Sequence, residues 1–383
     1  MIAACLGLAA LPLLMHALNW CTYRKPRQAG GKELGMVSIL IPARNEELNI
    51  EAAVRSALGS RGVRFEILIL DDQSTDRTRE IVDALSRSDP RVRVLRGRAL
   101  PIGWCGKQHA CWCLAQAAVG EHLLFVDADV RLSSDCVVQL RDHLCITGMA
   151  LVSGVPRQHT LTFLERLLIP FIHYLLLGFL PMFRMRQTSK PGYAAGCGQL
   201  FMAQASAYRA MGGHEAIRRS LHDGISLPRA FRRAGFRSDL VDVTALASCR
   251  MFENAGQVWR GLSRNAIEAL AAPKMIVPAT LVLLGGQILP WFLLLLPWAK
   301  DGHAVMLGLA VGLTLVPRLV NACLYRQSWL GAALHPLGVI VLVGLQWYAL
   351  CRYVASKPSS WRGRSYAADD TPSMMPANHL KTP

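Results

Sequence analysis

Charged residues are scarce in this sequence, and acidic residues are scarcer than basic ones. Only 18% of the 383 residues are charged, with 26 Asp and Glu against 42 Lys and Arg, and 52% are hydrophobic. Average soluble domains are about 25% charged and about 45–50% apolar. The chain is therefore too apolar to be wholly soluble, and its composition excludes an intrinsically disordered, collagen-like or coiled-coil protein.

Several common motifs are also missing. There is no Gly-x-x-x-x-Gly-Lys-Ser/Thr loop and no Gly-x-Gly-x-x-Gly after the first predicted strand, which argues against a P-loop and a dinucleotide-binding fold. A Gly-x-Ser-x-Gly lipase motif is absent too. The 11 cysteines have no regular spacing, so we expect reduced thiols. Cys105, His109, Cys111 and Cys113 do not complete a tetrahedral zinc site.

Long hydrophobic runs are present at both ends of the chain. Residues 2–20 form a run that is about long enough to span a bilayer, and the basic residues Arg24, Lys25, Arg27 and Lys32 follow it. A cleaved signal peptide would carry its basic residues before the run. The positive-inside rule therefore predicts a transmembrane anchor over 1–22, a basic linker over 23–35 and a cytoplasmic domain after them.

Three more apolar runs, at 275–298, 304–323 and 330–350, predict a membrane-embedded region over 271–352. A basic, flexible tail is expected over 353–383. If all three runs crossed the bilayer the tail would lie outside, against the charge rule. We therefore expect one run to be re-entrant or interfacial. Charged residues and two prolines interrupt residues 161–183, which favours helices lying on the membrane interface over a span.

Between 36 and 270 short apolar strands alternate with amphipathic helices. Strands are predicted over 36–43, 65–72, 91–95 and 122–129, and helices over 47–60, 75–88 and 104–119. This alternation is typical of an α/β domain with a mostly parallel sheet, where ligands bind beyond the carboxyl ends of the strands.

Polar clusters at 42–46, 71–76 and 127–129 fall at those strand ends. Each cluster alone is explained by a turn or a helix cap. Three clusters at one edge of the sheet predict a binding site. Asp127 and Asp129, one residue apart, are suited to hold Mg²⁺ or Mn²⁺, and such a cation would bridge the diphosphate of a substrate.

Four segments together resemble a known family. SILIPARNEELNI (38–50), ILDDQSTDRT (69–78), GWCGKQHA (103–110) and FVDADV (125–130) occur in the order found in the inverting family 2 glycosyltransferases, which have the Rossmann-like GT-A fold. The similarity covers 36–270. The stretch Leu100 to Lys107 and WRGRSY at 361–366 resemble membrane glycosyltransferases associated with carotenoid and hopanoid lipids.

The resemblance implies an integral membrane enzyme that transfers a sugar from a UDP- or GDP-sugar to a membrane lipid at the cytoplasmic face, assisted by Mg²⁺ or Mn²⁺. It assigns the nucleotide-sugar pocket to Pro42, Arg44, Glu46, Asp71, Asp72, Lys107 and Asp127. It assigns the metal to Asp127 and Asp129, and the catalytic base to Asp223. His222 replaces the glutamate that precedes this aspartate in the family, and Asp223 could instead cap a helix over 225–234.

The Gln-x-x-Arg-Trp motif of processive family members is not intact. Gln257-Val-Trp259-Arg260 stands in its place, followed by Arg264, which favours one or few sugar transfers. Trp259, Arg260 and Arg264 could close over the donor and acceptor, or Trp259 could pack at the membrane interface. Two other functions remain open, a processive polysaccharide synthase and a non-catalytic nucleotide-binding membrane scaffold.

Basic residues are concentrated in the second half of the soluble region. A nucleic-acid-binding face would carry interleaved aromatics, which are sparse here, so we expect no nucleic acid and predict contact with anionic membrane lipids. The residues of this basic cluster are Arg184, Arg186, Lys190, Arg209, Arg218, Arg219, Arg229, Arg232, Arg233 and Arg237. The small residues of AAGCGQLFMA (194–203) fit either an acceptor seat or a tight packing point.

Overall fold

The computed structural model describes residues 2–30, 34–297, 303–355, 359–361 and 364–366, the last two segments by backbone alone. The first half contains α1 (Ile2–Trp20), β1 (Val37–Ala43), α2 (Ile50–Leu58), β2 (Phe65–Asp71), α3 (Thr78–Ser88), β3 (Val92–Arg96), α4 (Gly106–Ala117), β4 (His122–Val126), β5 (Val130–Leu132), α5 (Cys136–Thr147), β6 (Leu151–Gly154), β7 (Arg157–Gln158), α6 (Phe163–Leu168), α7 (Phe171–Phe179) and α8 (Met182–Gln187). The second half contains β8 (Leu200–Gln204), α9 (Ala205–Ala210), α10 (Asp223–Arg233), β9 (Ser238–Val241), β10 (Ala247–Cys249), α11 (Ala255–Ala266), α12 (Ile276–Gln287), α13 (Leu289–Leu294), α14 (Ala304–Leu324), α15 (Trp329–Ala333), α16 (His335–Val354), β11 (Ser359–Trp361) and β12 (Arg364–Tyr366).

A seven-stranded sheet in the order β3-β2-β1-β4-β8-β6-β9 forms the centre of the soluble domain. Strand β1 pairs in parallel with β2 and with β4, and β8 runs antiparallel to both β4 and β6. The predicted α/β class with a mostly parallel sheet is confirmed. Because β1, β2 and β4 are parallel neighbours, their carboxyl ends meet at one edge.

Both faces of the central strands are buried, which explains their nearly continuous apolar sequences. Ile39 and Ile41 of β1 pack with Val54 of α2 on one face of the sheet. Leu40 of β1 packs with Leu114 of α4 on the other face. These two layers fix the position of β1 and, with it, the loop that follows its carboxyl end.

The expectation that the fourth strand runs to residue 129 is wrong, because β4 ends at Val126. The backbone N–H of Asp127 donates to the carbonyl of Gln199 at 3.1 Å, which extends the antiparallel β4/β8 register by one residue. The N–H of Val130 then donates to the carbonyl of Asp127 at 3.0 Å. Residues 127–130 therefore form a turn, which carries both acidic side chains at the edge of the sheet.

Four helical segments are long and apolar enough to cross a membrane: Ile2–Trp20, Ile276–Leu294, Ala304–Leu324 and His335–Val354. The last of these begins later than the predicted run at 330–350, after the short helix α15. The segment Ile276–Leu294 breaks at Ile288, two residues before Pro290, which has no N–H to donate. Predictions on which runs span the membrane, and on which side the tail lies, remain predictions.

Residues 161–183 contain α6, α7 and the start of α8 rather than one long helix. Asn19 at the end of α1 binds this region, since its amide donates to the carbonyls of Leu177 at 2.9 Å and Leu180 at 2.7 Å. The amide oxygen of Asn19 accepts from the N–H of Met182 at 3.0 Å. The apolar amino-terminal helix is thereby fastened to the short helices of the soluble domain.

The prediction that the whole basic cluster contacts lipid is wrong for Arg232. This guanidinium is buried and donates to the carbonyls of Lys190 and Met185, each at 2.9 Å. Arg186 pairs with Asp239 at 2.8 Å. Both side chains hold the domain together, which leaves exposed residues such as Arg218 as candidates for headgroup contact.

Candidate active site

The loops after β1 and β2 form one wall of the site. Arg44 Nη1 donates to the carbonyl of Asp72 at 2.5 Å and to that of Gln73 at 3.2 Å. Asn45 Oδ1 accepts from the N–H of Thr75 at 2.8 Å. Asn45 and Gln73 have left-handed φ values of 52° and 57°, a conformation that Asn tolerates better than most residues. The two loops are thus held as a single unit.

The residues predicted to line the nucleotide pocket make different contacts within these two loops. Asp71 Oδ1 accepts from the N–H of Ser74 at 3.2 Å, so this carboxylate stabilises the turn. Asp72 is buried, and Gly97 packs so closely that a Cβ on it would lie 3.0 Å from Asp72 Oδ1. Glu46 donates its N–H to Thr78 Oγ1 at 2.7 Å, and Pro42 lies beside Leu70 in the sheet register. Their contacts with a nucleotide remain predictions.

Lys107, in the first turn of α4, joins two acidic residues. Its Nζ lies 2.7 Å from Asp127 Oδ1 and 2.9 Å from Asp223 Oδ2, and it donates to the carbonyl of Gly198 at 3.0 Å. Asp127 lies in the turn after β4, and Asp223 is the first residue of α10. The fold therefore brings together three residues that were predicted from separate motifs.

Electrostatic interactions within this triad keep Lys107 and Asp223 charged. Burial alone would lower the pKa of Lys107, but Asp127 and Asp223 raise it well above its usual value. Burial alone would raise the pKa of Asp223, but the Lys107 ammonium holds it below its usual value. Asp223 is therefore an ionised carboxylate inside the protein, able to accept a proton.

The alternative of Asp223 as a helix cap is wrong. Helix α10 begins at Asp223 itself, with His222 at the N-cap position and no capping hydrogen bond from its side chain. The Asp223 carboxylate points to Lys107 instead. Gly198 permits this, since a Cβ on it would lie 2.8 Å from Asp223 Cγ. Residues 194–198 therefore form a tight packing point, while their role as an acceptor seat remains a prediction.

Asp129 lies in the same turn as Asp127 and has an unusual environment. Its Oδ1 is buried and has no hydrogen-bond partner, and its Oδ2 accepts from Gln199 Nε2 at 3.4 Å. Burial, together with the negative charges of Asp127 and Glu46, raises the pKa of Asp129 to about 7. A buried carboxylate with an unsatisfied oxygen beside two other carboxylates is suited to bind a cation.

The donor set fits a divalent cation that is shared with a substrate. Among the described residues, no three His, Cys, Asp or Glu side chains form a metal-binding group, so Asp127 and Asp129 are the carboxylates that would hold the cation. Mg²⁺ and similar hard cations are commonly held by one or two carboxylates, with substrate phosphates and water completing the shell. The orphaned Asp129 Oδ1 is consistent with this arrangement.

The three residues proposed to close over the site lie on α11. Trp259 packs against α16, with its ring 5.5 Å from that of Tyr348, while its position at a membrane interface remains a prediction. Arg260 is exposed. Arg264 donates from Nε to Asn265 Oδ1 at 3.2 Å, and its charge acts on His222. Closure by these side chains remains a prediction.

Sequence reasoning missed two residues that support the site. Gln199 holds the acidic turn with its backbone carbonyl and its side chain. Glu268 accepts hydrogen bonds from the loop that precedes Asp223. Gln199 lies in the stretch 194–203, of which the small residues alone were considered, and Glu268 stands in no recognised motif. Each acts across a long sequence separation, so no local signal indicated its contacts.

Comparison with known proteins is consistent with this geometry. Residues 38–212 match the sequence model of the family described as Glycosyl transferase family 2. The chain is 28% identical over 225 residues to a 4,4'-diaponeurosporenoate glycosyltransferase of Staphylococcus haemolyticus, covering 58% of each chain. It is 25% identical over 309 residues to the enzyme of the same name in Staphylococcus aureus, covering 78% of this chain and 72% of that one.

A solved mannosyltransferase from Pyrobaculum calidifontis, in complex with GDP-Man and Mn²⁺, has a similar fold. Its TM-score is 0.54 at 17% sequence identity, and the similarity covers 93% of this chain and 99% of that one. This likeness supports the GT-A fold.

Proposed function

Since the chain carries a glycosyl transferase family 2 domain, we propose that it transfers a sugar from a UDP- or GDP-sugar to a membrane lipid, with inversion at the anomeric carbon. The observation that carries this proposal is the position of Lys107 between Asp127 and Asp223. It puts a buried cation, suited to the diphosphate of a donor, directly beside a carboxylate that can accept a proton.

The donor half of the site is the edge formed by the ends of β1, β2 and β4. The loops joined by Arg44 would hold the nucleoside against Asp72. Lys107 would interact with the diphosphate, because its ammonium stays charged. Asp127 and Asp129 would hold Mg²⁺ or Mn²⁺, which when bound neutralises charge on the diphosphate as it leaves.

The acceptor half centres on Asp223. An acceptor hydroxyl would attack the anomeric carbon from the face opposite the diphosphate, which inverts its configuration. The hydroxyl proton passes to the Asp223 carboxylate as the new carbon–oxygen bond forms. The bond from the anomeric carbon to the diphosphate oxygen breaks, and its electron pair leaves with the diphosphate. The Lys107 ammonium, 2.9 Å from Asp223, lies where it can stabilise that negative charge.

A lipid acceptor is supported by the apolar helices that surround the domain. Four segments are long and apolar enough to cross a membrane, and α1 is fastened to α7 by Asn19. The curated relatives are named for 4,4'-diaponeurosporenoate, so we propose an isoprenoid, carotenoid or hopanoid acceptor. We further propose an integral membrane protein with a cytoplasmic active site, whose exposed arginines meet anionic headgroups.

The proposal is tested by turnover in purified, membrane-reconstituted protein. UDP- and GDP-sugars are offered with Mg²⁺ or Mn²⁺ and extracted bacterial lipids, and both released nucleotide and new glycolipid are measured by mass. We expect a glycolipid with one or few sugars, which disappears with EDTA and falls at least about a hundred-fold in Asp129→Asn, because metal ions contribute several kcal/mol to such reactions.

Asp135→Asn is the matched control, because Asp135 is a nearby exposed carboxylate between β5 and α5, and it should retain turnover. Long polysaccharide products would instead identify a processive synthase. Nucleotide binding without product across the whole panel would identify a non-catalytic scaffold and refute the proposed function.

A further inference from the structure

Glu268 makes a set of contacts that the proposed reaction has not used. It lies after α11, in the segment 267–275 that leads into the apolar helix α12. Its Oε1 accepts from the N–H of Leu221 at 2.7 Å, its Oε2 accepts from Ser220 Oγ at 2.6 Å, and Ser226 Oγ lies 3.3 Å from Oε2. One carboxylate therefore spans the start of α10 on both sides of Asp223.

Residues 220–222, here called the base loop, are held from several directions. The N–H of His222 donates to Ser220 Oγ at 3.1 Å, and Ser226 Oγ donates to the carbonyl of His222 at 2.5 Å. Gln108 Nε2 donates to the carbonyl of Ser220 at 3.1 Å, and Gln108 follows Lys107 in α4. The base loop is thus fixed to Glu268 on one side and to the helix of Lys107 on the other.

We propose that Glu268 is a positioning residue for Asp223: it fixes the base loop so that the Asp223 carboxylate faces Lys107 and the acceptor. This inference rests on the proposed function, since it assigns Asp223 as the base. Charge–charge interactions with Glu268 reach Arg229 of α10 and His222. These interactions place the Glu268 carboxylate beside the base loop and α10.

The position of Glu268 in the chain gives the contact a second consequence. Helix α11 packs against α16 and α6, and α12, which follows the segment of Glu268, packs against α1 and α16. The side chain of Glu268 therefore links the loop before Asp223 to a segment that packs with the helices apolar enough to cross a membrane.

The test compares Glu268→Ala, Glu268→Gln and the control Glu253→Ala in the reconstituted protein. Glu253 is exposed and precedes the same helix α11. We expect kcat of Glu268→Ala to fall roughly ten- to hundred-fold, since small misplacements of catalytic groups have effects of this size, with donor KM unchanged. Glu268→Gln should recover most of the activity, because its amide can accept from Leu221 and donate to the serine hydroxyls.

Two further measurements separate positioning from other roles. In the background of Asp223→Asn, Glu268→Ala should cause little additional loss, because residues that act through one group are strongly non-additive. Amide hydrogen exchange at residues 220–226 should be faster in Glu268→Ala than in Glu253→Ala. The exchange experiment needs no turnover, so it remains decisive if the wild type transfers no sugar and the proposed function itself fails.

Unchanged exchange at residues 220–226 would overturn the inference whatever the activity. An increase in donor KM without a change in kcat would also overturn it, because it would place the effect on donor binding. A full additional loss in the double variant would show that Glu268 acts independently of Asp223.

Discussion

Lys107 Nζ lies 2.9 Å from Asp223 Oδ2 and simultaneously 2.7 Å from Asp127 Oδ1. The proposed base and the proposed metal ligand therefore share one cation. An anionic donor that attracts the Lys107 ammonium will weaken the ion pair between Lys107 and Asp223. Because Lys107 keeps the pKa of Asp223 low, donor binding would make Asp223 a stronger base at the point when a base is required.

The first prediction concerns the pH dependence of Lys107→Met. Without the ammonium, the pKa of Asp223 rises, because burial raises it and Lys107 is the strongest of the groups that lower it. The acid limb of the kcat profile should move to higher pH, and kcat at neutral pH should fall. Steady-state kinetics between pH 5 and 9 measure this, with Lys190→Met, an exposed lysine, as the control. An acid limb that does not move would show that Asp223 is not the titrating base.

The stability of the same variant should change in a defined pH window. A carboxylate whose folded pKa is depressed contributes stability above its unfolded pKa, and that contribution is lost as the pH falls through the folded value. Wild type should therefore lose the Lys107–Asp223 contribution only in strong acid. Lys107→Met should be less stable than wild type at neutral pH, and the difference should narrow in acid.

The second prediction concerns Asp129, whose pKa of about 7 is raised by burial. A carboxylate with a raised pKa binds a proton on folding, so without metal the protein loses stability as the pH rises from about 4 to about 7. Asp129→Asn removes this charge, and we expect its metal-free Tm at pH 8 to rise by a few degrees. Mn²⁺ should raise the Tm of wild type and not of this variant.

Thermal unfolding with and without Mn²⁺ checks the Asp129 prediction, with Asp135→Asn as the control. Equal stabilisation of wild type and Asp129→Asn by Mn²⁺ would place the cation elsewhere. The environment of Asp129 indicates that its carboxylate destabilises the metal-free protein. A lower metal-free Tm in Asp129→Asn than in wild type would contradict this.

The third prediction tests whether Trp259 only packs against α16 or also closes over the bound donor. Its ring contacts Tyr348 and lies with the apolar cluster that includes Val258 and Leu342. Trp259→Ala should lower Tm and Trp259→Phe should recover most of the loss, because truncation of large buried rings costs up to about 3–5 kcal/mol. Donor KM, measured in the same preparations, should remain near wild type. A large increase in KM in Trp259→Phe at normal Tm would instead support closure over the donor.

The edge of the site made by β1, β2 and β4 could be predicted from the sequence because it follows from topology. Parallel strands place their carboxyl ends together, so polar residues after each strand must converge. The direction of the Asp223 side chain could not be predicted in this way. A helix-initiating aspartate can cap its own helix or bind a distant group, and the choice here depends on Lys107 of α4 and on the space left by Gly198.

Contacts of Gln199 and Glu268 were unpredictable for a related reason. Each is a polar side chain whose partners come from other elements, and hydrogen bonds of this kind leave no periodic pattern. The end of β4 was misjudged because residues 127–130 form a turn, in which the N–H of Val130 donates to the carbonyl of Asp127. Long-range polar contacts therefore account for most of what the sequence could not specify in this site.

The last prediction concerns Gly198, whose missing side chain makes the triad possible. A Cβ at this position would overlap Asp223 Oδ1 and lie 2.8 Å from its Cγ, so Gly198→Ala must displace the carboxylate from Lys107. Turnover should fall at least about ten-fold, because displacement of a catalytic group by about 1 Å can lower the rate by this factor or more. Nucleotide binding should persist. Gly192→Ala is the matched control, because a Cβ there meets nothing within 4 Å.

Kinetics and nucleotide binding of both glycine variants are measured in the same membranes. Normal turnover in Gly198→Ala would mean that Asp223 need not face Lys107, and the assignment of Asp223 as base would then fail. Loss of both turnover and nucleotide binding in Gly198→Ala, with Gly192→Ala normal, would show that Gly198 supports the donor half of the site. Normal turnover would contradict the mechanism. Loss of both activities would show that residues 194–198 support donor binding and do not act by positioning Asp223.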